Sequence, residues 1–126
     1  MVLVDTSVWI NHFKKSNTEL KKLLLDVDVL SHPYILGEIA CGNIANRKEI
    51  LLLMKSLPKA ETTEDEEIFE FIEQNRLYGS GLGLIDVHLL ASTILSKAYL
   101  WTLDKKLSQI ATKFNVCYKP SISTTH

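Results

Sequence analysis

VLVDTSVWI, residues 2–10, sets one acid between two apolar runs. An unbroken apolar run such as MVLV suits a parallel strand covered on both faces; a strand with one wet face would alternate. Asp5 then stands at the carboxyl end of that strand. Thr6 or Ser7 is placed to cap a helix running to about Lys15.

Working outward, the same strand-then-helix pattern repeats. Asn17 or Thr18 opens a second helix, with Leu20, Leu23 and Leu24 at helical spacing. DVDVLS, residues 26–31, reads as a second strand. Pro33 suits the first turn of a helix through Ile35, Leu36, Ile39 and Ala40, ended by Gly42 and Asn43. Asn46 opens a helix to Met54, and Pro58 closes that region. Thr63 and Glu66 fit a capping box before the acidic helix that holds Ile68, Phe69, Phe71 and Ile72. Its acids suit a helix N-terminus and a wet face. YGSGLG, residues 78–83, reads as a flexible loop before a helix from about Leu84 to Lys97. AYLWTL is a strand, Asp104 caps a helix to about Phe114, and VCY is a last short strand. The tail SISTTH, residues 121–126, is expected to be disordered. Alternating strands and helices predict an α/β fold: a mainly parallel central sheet flanked by helices, in one domain over residues 1–120.

The chain has 126 residues, 46% hydrophobic and 23% charged, enough for one proper core. No apolar run approaches the ~20 residues of a membrane span. The first residues lack the basic region, apolar core and cleavage site of a signal peptide, so a cytoplasmic protein is expected. Cys41 and Cys117 have no metal-type spacing and form no visible disulfide framework. Net charge is −1, but residues 61–75 hold seven acids and no base, leaving fourteen bases against eight acids elsewhere. That remainder could meet a polyanion through local patches. The plainer reading makes Lys14, Lys15, Lys21, Lys22, Lys105 and Lys106 solvated helix faces.

Four of those eight acids sit in or beside core-like segments: Asp5, Glu38 in YILGEIA, Asp86 in LGLIDVHLL and Asp104 after AYLWTL. Ionised acids are rarely buried without a partner. No Lys or Arg lies within four residues of Asp5, Glu38 or Asp86. Asp5 and Asp104 have an ordinary reading as helix caps; Glu38 and Asp86 do not. Ligands collect at the carboxyl ends of parallel strands, where Asp5 and Asp104 fall and where the helices of Glu38 and Asp86 begin. Carboxylates alone select Mg²⁺ or Mn²⁺ over zinc. Such ions orient an attacking water and polarise a phosphodiester, the usual route to nucleic-acid hydrolysis.

VDTSVWI at 4–10, HPYILGEIACG at 32–42, RLYGSGLGLIDVHLLAS at 76–92 and LWTLDKKL at 100–107 stand in order along nearly the whole chain. With these blocks the chain resembles PIN-domain ribonucleases, and within them the VapC toxins of type II toxin–antitoxin pairs. The resemblance implies a PIN-like nuclease domain whose metal site is Asp5, Glu38, Asp86 and Asp104, with Ser7 and Thr102 as polar supporters. It implies a Mg²⁺-dependent (or Mn²⁺-dependent) endoribonuclease with an RNA substrate, a homodimer, and a small VapB-like antitoxin that wraps the toxin and blocks the site. Trp9, Phe13, Leu24 and the run ILLLM at 50–54 are candidate surfaces for it. Some PIN domains carry a further acid after the fourth. Here Lys105, Lys106 and Ser108 follow Asp104, which leaves one metal or two open.

Other residues read as follows. His88 is a packed or surface histidine, and His12, His32 and His126 show no ligand spacing. Trp9, Phe13, Trp101 and Phe114 are core. Arg76 and Tyr78 border the glycine loop, where backbone can approach a phosphate and Arg can grip it. Three rivals stand against a nuclease. A phospho-receiver domain wants an adjacent acidic pair, but Thr6 follows Asp5. A haloacid-dehalogenase-type phosphatase wants an acid at the position of Ser7. A catalytically inactive PIN-like RNA-binding protein would not need all four acids.

Overall fold

Val2–Val4 form the central strand β1, fully buried, flanked in parallel by β2 (Val29–Leu30) and β3 (Tyr99–Trp101). The computed structural model describes residues 1–120, so the tail at 121–126 lies outside the described residues. The sheet order is β2-β1-β3, with Leu3 opposite both Leu30 and Leu100. The chain therefore leaves β1 toward β2 on one side and returns as β3 on the other. In an open α/β sheet that reversal opens a crevice at the strands' carboxyl ends.

Among the described residues seven helices cover the sheet: α1 (Thr6–Lys15), α2 (Thr18–Leu25), α3 (Pro33–Cys41), α4 (Arg47–Ser56), α5 (Asp65–Gln74), α6 (Leu84–Leu95) and α7 (Lys105–Lys113). Local chemistry sets their starts. The Asn17 side chain accepts the Leu20 N–H, and Pro33 opens α3 at its first position. α6 is the central helix: every residue from Val87 to Thr93 is buried, as a helix apolar on all sides must be. Leu3, Val8, Leu20, Ile39, Leu90 and Leu100 pack into one core with it. Trp9 and Trp101 are buried there, and Phe13 and Phe114 lean on it, as expected.

Several boundaries differ from the sequence reading. Neither Thr6 nor Ser7 caps α1; Asp5 holds the cap position, and both hydroxyls are used elsewhere. The strand expected over 26–31 shrinks to two residues. The chain needs Val27, at φ 51°, to turn out of α2, and Asp28 to reach Val2. The capping box lies one residue on: the Glu67 carboxylate accepts the Glu64 N–H, while Thr63 turns toward His88. VCY makes only a single bridge, Leu100 to Cys117, and is no strand. Both cysteines are free. Trp9 and Met54 are too buried to serve a partner, whereas Leu52 and Leu53 are exposed.

Candidate active site

Asp5 leaves the end of β1 and is buried, 8% exposed. Although it occupies the cap position of α1, its side chain caps nothing. Its Oδ2 instead accepts from Ser7 Oγ at 2.8 Å and Thr102 Oγ1 at 2.7 Å. The same two hydroxyls accept backbone N–H groups from beyond β3: Leu103 to Ser7 at 3.0 Å and Asp104 to Thr102 at 3.0 Å. Ser7 and Thr102 thus fix the Asp5 rotamer and fold the start of α7 against it. Two hydroxyls serve one carboxylate and two backbone donors, which leaves few rotamers open to any of the three side chains.

Glu38 is exposed, contrary to the core position its apolar neighbours predicted. It is the sixth residue of α3, not an early one, and lies beside rather than among the buried positions Ile35 and Ile39. Thr6 donates to its Oε1 at 2.5 Å. Asp104 is likewise exposed and caps α7, its Oδ1 accepting the Leu107 N–H at 3.0 Å. Asp86 stands in the first turn of α6, half-buried. Burial pushes its carboxyl above the usual range; the charge of Asp5 adds most after that, and Asp104 and Glu38 add less. The backbone at Gly83 works in the other direction. One carboxyl therefore feels all three others, although they are drawn from positions 5 to 104.

Among the described residues, neither Lys nor Arg forms an ion pair with any of the four. Nor do any three acidic, His or Cys side chains stand close enough to enclose one ion. The four form an open cluster. In donor type and in uncompensated charge they suit a hard divalent cation, which would relieve the repulsion that Asp86 registers.

Two contacts were not visible in the sequence. Thr6 reaches Glu38 across 32 positions. Lys106 lies over Gly81, where an added Cβ would fall 2.7 Å from Nζ, and Gly81 itself sits at φ +88°. A lysine stem thus rests on the loop before Asp86. Arg76 is exposed at the end of α5, in a left-handed turn at φ 52°. His88 is buried; Nδ1 meets Thr63 Oγ1 at 3.4 Å and Nε2 has no hydrogen bond. That is a packed histidine, remote in role from the acids.

The comparisons agree with this architecture. The PIN domain family matches residues 2–113. Two proteins called Ribonuclease VapC32, from Mycobacterium tuberculosis strains CDC 1551 / Oshkosh and ATCC 25618 / H37Rv, are each 36% identical over 124 residues. Those matches cover 98% of this chain and the whole of each relative. A shared domain over most of the sequence and full-length identity at that level have one reading: the chain belongs to the PIN-domain family, and within it to the VapC type.

Proposed function

We propose that the protein is a Mg²⁺-dependent endoribonuclease, acting as the toxin of a toxin–antitoxin pair. The observation that carries this is the load on Asp86, whose charged form is disfavoured first by burial and then by three other acids, with no lysine or arginine paired to any of the four. Such a cluster is costly to a fold and repels phosphate, so its use lies in a bound cation. Asp5, Glu38, Asp86 and Asp104, which stand too far apart to enclose an ion as they are, would draw in to hold it. When bound it would lower the pKa of a water and neutralise the phosphodiester. The chain's own residues supply the rest. Ser7 and Thr102 orient Asp5, Thr6 orients Glu38, and the Leu107 N–H orients Asp104. Lys106 and Arg76 would grip RNA phosphates at the rim.

The VapC type is in keeping with a VapB-like antitoxin as partner, and a homodimer is proposed beside it. A groove of about 500 Å³ lined by Ile10, Phe13, Ile44 and Ile50, beside the exposed Leu52 and Leu53, suits an apolar antitoxin segment. Among the described residues no helix is long and apolar enough to cross a membrane.

Expression of the wild type and Asp5→Asn in a bacterial host tests the assignment. Growth arrest with RNA breakdown is expected from the wild type alone. Equal toxicity of the two would count against a carboxylate-centred mechanism.

A further inference from the structure

α3 turns one face toward the crevice: Tyr34, Gly37, Glu38 and Cys41, at helical spacing. With Pro33 and, from α6, Ile85, this face lines an open groove of about 530 Å³. Glu38 is therefore both a wall of the groove and a member of the acid cluster, and Ile85 immediately precedes Asp86. The groove and the cluster share a rim.

The groove's chemistry differs from that of the cluster. No lysine or arginine lines it, and its one charged side chain is an acid. A phosphate would be repelled there; an uncharged flat ring would not. Gly37 leaves the floor open, since an added Cβ would meet nothing within 4 Å. Tyr34 is 39% exposed, yet its ring is not free to wander. It stands edge-on to His88, with centroids 4.9 Å apart at 84°, and tilted to His32 at 5.3 Å and 50°. Both histidines are buried. One side of the ring is held by the interior and the rest faces out, so little freedom is lost when a second ring stacks on it.

We propose that this groove is a nucleobase subsite, with Tyr34 as the stacking platform for a base adjoining the cleaved phosphate. The inference rests on the ribonuclease reading. A phosphate at the carboxylates carries its neighbouring bases within one nucleotide, and the groove adjoins the carboxylates through Glu38 and Ile85. Cleavage then depends on a base being present beside the cut, although the acids contact none.

The test compares an RNA oligonucleotide with the same oligonucleotide made abasic at each residue flanking the mapped cut, using full-length protein with Mg²⁺. On intact RNA, Tyr34→Ala and Gly37→Leu should each lower kcat/KM by about 10- to 100-fold, the span of one base–aromatic stack. Tyr34→Phe, which keeps the ring, should restore most of that loss. On the RNA abasic at the stacked position, wild type and Tyr34→Ala should cut alike. Tyr34→Ala cutting intact RNA as well as wild type would overturn the subsite. So would equal losses on both RNAs, or a change of molecular mass in Tyr34→Ala by sedimentation, which would make a second copy the occupant. Wild type that cuts no RNA at all would instead sink the ribonuclease reading, and the subsite with it.

Discussion

Asp5 and Asp86 show how differently two acids of one cluster are held. Asp5 takes two hydroxyl donors on a single oxygen, and those hydroxyls also hold the backbone at 103 and 104. Thr102→Val keeps the shape but removes a charge-assisted hydrogen bond and an acceptor for the Asp104 N–H. A stability loss of about 2 kcal/mol is expected by denaturant unfolding, with weaker RNA cleavage. Asp86 shows the opposite balance, because burial and then its acidic neighbours oppose its charge. A carboxyl raised in the folded state penalises the fold above that raised pKa, and the penalty lifts as pH falls through it toward the unfolded value. Without divalent ions, Asp86→Asn should therefore raise Tm at neutral pH; with Mg²⁺ present, where wild type cuts, it should lose cleavage. The gain in Tm should shrink as the medium is acidified; a lower Tm for Asp86→Asn at pH 7 would contradict the repulsion. The four acids stood out in the sequence because an acid between apolar neighbours is an energetic oddity, although of the four only Asp5 is buried, while Glu38 and Asp104 are exposed. The roles of Thr6 and Lys106 were not, since each depends on a tertiary approach that no local pattern encodes. The same limit misplaced Glu38: apolar neighbours mark a buried helix, but not which side of its turn meets the crevice.

At the scale of the element, α3 carries Glu38 and Tyr34, and a histidine caps it. His32 Nδ1 accepts the Tyr34 N–H at 3.0 Å, while Nε2 meets Ser92 Oγ at 3.1 Å. The cap requires a neutral ring. Burial, and then the nearby His88, lower the His32 pKa to about 4. A base depressed on folding adds stability above its unfolded pKa of about 6.5 and loses it as pH falls from there to about 4. From that shift, roughly 3 kcal/mol should disappear across the window. The groups facing His32 are His88, Tyr34 and Ser92, so the loss belongs to this cluster. Thermal unfolding from pH 7 to 4 should show a steeper fall for wild type than for His32→Asn, whose amide can cap without titrating. Parallel curves would show that His32 is not the group responsible. Pro33 made the start of α3 readable. The box before α5 was misread by one residue because Thr63 and Glu64 are both able caps, and the approach of His88 decides between them.

Over the whole molecule, the alternation of apolar runs with amphipathic segments pointed to an α/β fold, because a short apolar run such as MVLV suits a strand covered on both faces. The strand order was not readable. It follows from which helices pack on which face, and β2-β1-β3 places the crevice between the ends of β1 and β3. That order explains the site. Asp5 and Asp104 leave neighbouring strands, Asp86 enters at the start of the buried central helix, and Glu38 closes from α3. The solvated lysines behave as charge runs usually do, with Lys106 set apart by its seat on Gly81. The central claim is that these four acids act together through a divalent cation. Cleavage of an end-labelled RNA by purified wild type and Asp86→Asn, across a Mg²⁺ titration after stripping with EDTA, tests it most directly. The account predicts no cutting by wild type in EDTA, cutting restored as Mg²⁺ is added, and none from Asp86→Asn at any concentration. Full activity of wild type in EDTA, or cutting by Asp86→Asn at the wild-type rate, would contradict it.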